Sequence, residues 1–223
     1  MLELSNITAG YERGKPVVRD MSVAVARGEA VGLLAPRGCG KSTLARVAAL
    51  LHRPDEGTVV VDGTPVAGHR HRIPRALRTT VGFVHHAPRA GADPSLRLRD
   101  LIAEPLKASG RRIEIRERVD ELAHAVGLGG DLLARDIREV GDGQLQRAFL
   151  ARALVLRPRV LVCDEMTALM DAETAAALIA AVQGYRRETR ASLLAVGDDR
   201  ALLATWCDRT VIWDAPPADG VPA

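Results

Sequence analysis

Two stretches of this chain carry residue types at spacings that could do chemistry together. The first is Ala35-Pro36-Arg37-Gly38-Cys39-Gly40-Lys41-Ser42-Thr43. Its glycines let successive backbone N–H groups turn inward toward one anion. A helix starting near Lys41 would aim its positive end at the same point. In such a loop the lysine reaches the β- and γ-phosphates of a nucleotide, and the Ser42 hydroxyl ligates Mg2+. The strict form of the pattern opens on glycine, and Ala35 stands in that place. The second stretch is Val160-Leu161-Val162-Cys163-Asp164-Glu165. An apolar run ending in two carboxylates puts both at the carboxyl edge of a sheet, where ligands bind in α/β proteins. Asp164 suits Mg2+ through water, and Glu165 suits a base for an attacking water. Alone, the first can be a plain glycine-rich turn and the second a strand meeting a turn; each strengthens the other.

The elements around them are those that such a site needs. Ala30 to Ala35 is a short apolar run that reads as a buried strand, and Ser42 to Leu51 follows in helical pattern, stopped near Pro54. Leu2 to Ile7 and Met21 to Val25 alternate as half-buried strands. Gly57 to Val61 is a β-branched strand closed by the turn Asp62-Gly63. Val81 to Val84, Val160 to Cys163, Ser192 to Val196 and Thr210 to Trp213 read as further strands. Leu98 to Lys107, Ile113 to Val126, Gln144 to Leu156 and Ala172 to Arg187 read as helices. This order predicts an α/β fold with a mixed, mostly parallel sheet and a helical subdomain inserted at about residues 87–157. A single domain over 1–214 and a disordered tail at 215–223 complete the expectation.

Composition narrows the function. The chain has 223 residues, enough for one well-cored domain. Aromatics are only 3%, too few for a platform that stacks successive bases of a nucleic acid, and 31 basic against 28 acidic residues is too balanced to call for nucleic acid. Cys39, Cys163 and Cys207 are scattered, with neither zinc nor disulfide spacing, so a reducing cytoplasm fits. The start lacks a signal-peptide pattern and no run of 18 apolar residues exists, so any membrane role is expected to come through a partner.

With the two motifs in register, the chain from about Leu4 to Trp213 resembles an ABC ATPase, a P-loop NTPase fold, and is most similar to the peptide and nickel importer ATP-binding subunits. Tyr11 falls where that family stacks an aromatic ring on adenine. Val81-Gly-Phe-Val-His-His-Ala-Pro88 resembles the Q-loop segment, with His86 at the glutamine position, and Asp100 to Leu106 resembles the stretch that follows. Glu139-Val-Gly-Asp-Gly-Gln-Leu-Gln-Arg147 resembles the signature motif, and Ala168-Leu-Met-Asp171 the D-loop. The resemblance implies that ATP and Mg2+ bind at Tyr11, Arg37, Gly38, Cys39, Gly40, Lys41, Ser42 and Thr43, with Ser42 and Asp164 at the metal and Lys41 and Glu165 catalytic. It further implies that His86, Gly141, Gly143, Gln144 and Asp171 meet nucleotide in a sandwich dimer with a second ATP-binding subunit. Integral-membrane permease subunits would be driven by that dimer from the cytoplasmic face, with residues His86 to Leu106 against them. A degenerate regulatory module, or a soluble ABC protein in an enzyme complex such as phosphonate breakdown, are the other readings.

The departures from the family pattern concern turnover. Gly141 lacks the signature hydroxyl. Asp142 brings a negative charge toward phosphate unless it serves as an N-cap. Met166 replaces a proline, and Gly197 stands where a switch histidine precedes Asp198. Losing one positioned transition-state contact costs on the order of 10²–10³ in rate, so binding is expected to outlast hydrolysis. Cys39 is either a reactive thiol beside a positive helix end or a small loop filler. The basic run His69 to Arg75 reads as a solvated face. The family's extension beyond the switch loop has no counterpart after Trp213.

Overall fold

A computed structural model describes residues 1–12, 14–67, 72–168 and 170–214. The tail expected to be disordered, together with His69, Arg70, His71 and Leu169, lies outside the described residues. The chain divides into two compact units. The first comprises Met1–Phe83, Arg159–Glu165 and the segment from Thr189 onward; the second comprises Val84–Pro158 and Met166–Glu188. The second is broader than the insertion expected at about 87–157, because it also takes in the helix after Glu165.

The first unit holds two sheets. One is antiparallel, built from β1 (Leu2–Glu12), β2 (Lys15–Val25), β4 (Glu56–Val61) and β5 (Thr64–Pro65) in the order β2-β1-β4-β5. Both alternating runs of the sequence extend further than their pattern showed, since register shifts between Leu4 and Glu12 break the alternation without breaking the pairing. Asp62 and Gly63 both take positive φ, 49° and 76°, as a two-residue hairpin turn requires. The other sheet orders β6-β7-β8-β3-β9, from β6 (Val81–Val84), β7 (Val160–Asp164), β8 (Ser192–Gly197), β3 (Ala30–Leu34) and β9 (Arg209–Ile212). In it β3 runs parallel to both β8 and β9, and β7 runs parallel to β8. Helix α1 (Lys41–Ala48) packs against β1 and β2 of the first sheet and β7 and β8 of the second. Its inward face, Leu44, Ala45, Val47 and Ala48, is wholly buried, in a core that runs from Leu2 and Ile7 through Leu33 to Val162 and Leu194. That core is aliphatic but for Trp213, with Phe83 packed against it, in keeping with the low aromatic content. Ile73, inside the basic run, belongs to it at 2% exposure, so that run is not a solvated face throughout.

The second unit is helical. After a short turn α2 (Arg75–Arg78) in the first unit come α3 (Leu98–Ala108), α4 (Ile115–Ala125), α5 (Gly130–Leu133), α6 (Asp142–Leu154) and α7 (Ala172–Thr189). Leu98, Leu101, Ile102 and Leu106 recur at helical spacing on one buried face of α3, which packs on α4 and α6. Gly127, at φ 72°, ends α4 in the left-handed conformation that glycine adopts without strain. A last short helix, α8 (Arg200–Ala204), follows β8 in the first unit, with Asp199 as its N-cap.

Candidate functional site

The site grows out of the register of β3 and β8, in which Leu34 lies opposite Gly197. Beyond it, the Ala35 N–H donates to the Gly197 carbonyl at 3.1 Å, so the chain leaves the sheet at a fixed point. Ala35 is 3% exposed; the residue in the motif's opening glycine position is packed into the core. Gly38 and Gly40 take φ of 77° and 98°, values that side-chain-bearing residues adopt only under strain. At Gly40 a Cβ would also lie 2.8 Å from the Val17 carbonyl oxygen. Gly40 is the N-cap of α1, so the helix's first N–H groups face the same loop. The sequence sets these three conditions in a span of nine residues.

Lys41 is 5% exposed, and a buried ammonium must be paired and hydrogen-bonded. Its Nζ donates to the carbonyls of Ala35 at 3.1 Å and Pro36 at 2.8 Å, and lies 3.1 Å from Glu165 Oε1. The Ser42 Oγ donates to Asp164 Oδ1 at 3.1 Å. Asp164 is fully buried at the end of β7. Adjacent hydroxyl and carboxylate oxygens are the hard donor set that Mg2+ takes, so this pair fits such an ion. Glu165 follows at φ 46°, a left-handed backbone that costs a residue bearing a side chain about 1–2 kcal/mol. Its N–H donates to the Val196 carbonyl at 2.9 Å, which holds it there.

A cleft of about 350 Å³ passes over this loop, and Tyr11, the loop glycines, Lys41, Ser42, Thr43 and Glu165 line it. Tyr11 is 61% exposed, its ring 5.0 Å from that of His52 and its hydroxyl accepting from Arg46 Nη1. His52 is fixed in turn by a 2.8 Å hydrogen bond between Nε2 and the Gly10 carbonyl. Cys39 lies beneath the cleft, wholly buried, and burial pushes its thiol pKa up. Of the two readings of this residue, loop filler is the one that burial supports. Arg37 pairs with Asp198 at 2.8 Å, and that bond holds the Asp198 carboxyl below its ordinary range. No motif in the sequence marks Arg46 or His52, and the sequence presents Asp198 only as the neighbour of Gly197.

The remaining expected residues belong to the second unit. His86 stacks on His85, ring centroids 4.4 Å apart, and the Ala87 N–H donates to His85 Nδ1. Gly141 is the N-cap of α6, and its N–H donates to the Gln144 side-chain oxygen at 3.2 Å. Asp142 is therefore the first helical residue and not the N-cap. Its carboxylate pairs with Arg89, which also donates to the carbonyl of Val140 at 2.7 Å. A Cβ at Gly141 would meet nothing within 4 Å, whereas one at Gly143 would stand 3.1 Å from the Thr174 methyl. Asp171 accepts from the Thr174 N–H and hydroxyl at 2.8 and 2.9 Å, which lowers its pKa and caps α7. Gln146, fully buried, donates to the carbonyls of His85 and Met166 and ties three segments of this unit together. No motif in the sequence marks Arg89, and the signal for Gln146 is a polar residue inside an otherwise apolar helical face.

Comparison with known proteins bears on the whole chain. Residues 18–168 match the family model described as ABC transporter. The methionine import ATP-binding protein MetN of Coxiella burnetii is 34% identical over 96% of this chain and 61% of its own length. The oligopeptide transport ATP-binding protein OppF of Escherichia coli is 32% identical over 87% of this chain and 59% of its own. The nickel import ATP-binding protein NikE of the same species is 29% identical over 96% of this chain and 84% of its own. The chain thus spans about three fifths of the length of the first two. Among solved structures, the dimeric ATP-binding cassette MJ0796 bound to ADP and Pi superposes with a TM-score of 0.86 at 24% identity, covering 96% of this chain and 94% of that one. The cbiO1 protein of Clostridium perfringens superposes at 0.80, again at 24% identity, covering 95% and 83%.

Proposed function

The chain belongs to the ABC transporter family as an ATP-binding domain, and from that premise we propose that it is a subunit that grips Mg-ATP firmly and hydrolyses it slowly. The observation that carries this reading is the arrangement at the end of β3 and β7. The loop amides and Lys41 supply positive charge to a polyphosphate, and Ser42 and Asp164 are the oxygens that would hold Mg2+. A bound Mg2+ neutralises charge on the phosphates. Glu165, held at the strand end beside Lys41, takes the proton of the attacking water. Tyr11 offers its exposed ring to a base. Gly197, at the end of β8, has no side chain to orient water or touch phosphate, and Gly141 has no hydroxyl to offer. Binding keeps its machinery, and turnover loses contacts made in the transition state.

The transport role rests on relatives named for methionine, oligopeptide and nickel import. We place this chain with the peptide and nickel type, as one half of a nucleotide-gated dimer acting on membrane permeases at the cytoplasmic face. Gly141, Gly143, Gln144 and Asp171 would serve the nucleotide of the second subunit, and His86 to Leu106 would meet the permease. Among the described residues no helix is long and apolar enough to cross a membrane. A regulatory module, in which nucleotide drives assembly alone, is the second reading, and Gly197 favours it. Steady-state ATP turnover of the chain alone and with co-purified permeases separates the two. Slow turnover that rises with permease and vanishes in Glu165→Gln supports the transporter reading. Turnover absent in both states, with Mg-ATP still bound, supports the regulatory one.

A further inference from the structure

Arg37 is the only charged residue in the loop besides Lys41, and the two are placed differently. Lys41 is buried under the loop; the Arg37 side chain is 89% exposed and reaches across to Asp198, its Nε 2.8 Å from Oδ2. Asp198 is the first residue after β8, next to Gly197, whose carbonyl anchors the start of the loop. Arg37 and Glu165 line the same cleft. Lys41 joins them: its Nζ lies 3.1 Å from Glu165 and donates at 2.8 Å to the carbonyl of Pro36, the residue before Arg37, so the pair stands on the Glu165 side of the loop. An exposed ion pair holds its partners weakly and is readily exchanged for a better one. A phosphate is better: it offers a guanidinium two parallel charge-assisted hydrogen bonds.

We propose that Arg37 is the residue by which this chain distinguishes a nucleoside triphosphate from a diphosphate, by exchanging Asp198 for the terminal phosphate. This rests on the nucleotide-binding reading above and adds to it a cation and a competitor. The loop amides and Lys41 serve phosphates that both nucleotides share. Arg37, at the end where Glu165 stands, serves the one that only the triphosphate has. Asp198 sets the cost of that exchange, so an absent side chain at 197 is offset in binding by an exposed one at 37.

The test is calorimetric titration of Mg-ADP and Mg-ATP into wild type, Arg37→Ala, Arg37→Lys, Asp198→Asn and the double variant. Arg37→Ala is expected to weaken Mg-ATP about tenfold, the size of one lost charge-assisted hydrogen bond, while leaving Mg-ADP unchanged. Arg37→Lys should fall between, because a point charge keeps attraction and loses the fork. Asp198→Asn should tighten Mg-ATP, and that gain should disappear when Arg37 is also alanine. Equal weakening of both nucleotides, or no change in either, overturns the proposal. So does an Asp198→Asn variant that weakens Mg-ATP as Arg37→Ala does, since the pair would then be a strut. Failure of the underlying reading looks different: wild type binds neither nucleotide.

Discussion

The loop after β3 and the loop before α6 are both glycine-bearing entries to a helix, and they differ in what their glycines are for. At Gly40 the backbone itself demands glycine, through a φ of 98° and a carbonyl 2.8 Å from any added Cβ. At Gly141 φ is −70°, nothing lies within 4 Å of an added Cβ, and any small residue would fit. The first loop acts through its main chain, so its sequence is tied to its shape. On the reading proposed above, the second would lend side-chain groups to a ligand, and those can be lost without disturbing the fold. That is where the departures fall: Gly141 without a hydroxyl, and Asp142 with a charge that Arg89 neutralises. Gly197 is of the second kind, since an added Cβ would meet only Leu203 at 3.7 Å or more, ordinary contact.

The contrast predicts a graded set of outcomes. The largest is in rate. Gly197→His should fold normally and raise steady-state ATP turnover by up to about 10²-fold, the scale of one restored transition-state contact; a histidine without effect would place the block elsewhere. Next comes Gly40→Ala, which forces an alanine into a left-handed backbone against a carbonyl. It should cost about 2 kcal/mol or more of stability and abolish Mg-ATP binding, as read by urea melts and titration. Gly143→Ala is smaller, because the Thr174 side chain can shift by a few tenths of an ångström; about 1 kcal/mol is expected. Gly141→Ser is smallest in stability, within about 0.5 kcal/mol. If it instead proved as costly as Gly40→Ala, the distinction between the two loops would be lost.

Much of this was readable from sequence because the physics was local. Ala30 to Ser42 declares strand, turn and helix in thirteen residues, and glycine at 38 and 40 permits the positive φ that the turn adopts there. Val160 to Asp164 reads as a buried strand since every residue but the last is apolar, and all five are buried. What sequence hid was pairing between distant positions. Arg37 with Asp198, Arg89 with Asp142, and Gln146 with the His85 and Met166 carbonyls join residues that no pattern relates. The short helices α2, α5 and α8, at four or five residues each, are below the length at which periodicity speaks. Of the two readings of Asp142, the N-cap is the one excluded: an acidic residue at a helix start suits both N-cap and first turn, and only the backbone of Gly141 decides which.

The central claim is that main-chain amides of the β3–α1 loop, with Lys41 beneath them, hold a polyphosphate. Calorimetric titration of Mg-ATP into wild type and Lys41→Ala tests it most directly. Saturable binding to wild type, weakened about 10- to 100-fold in the variant, is the predicted result. Equal affinity in the two proteins, or none in wild type, would contradict it.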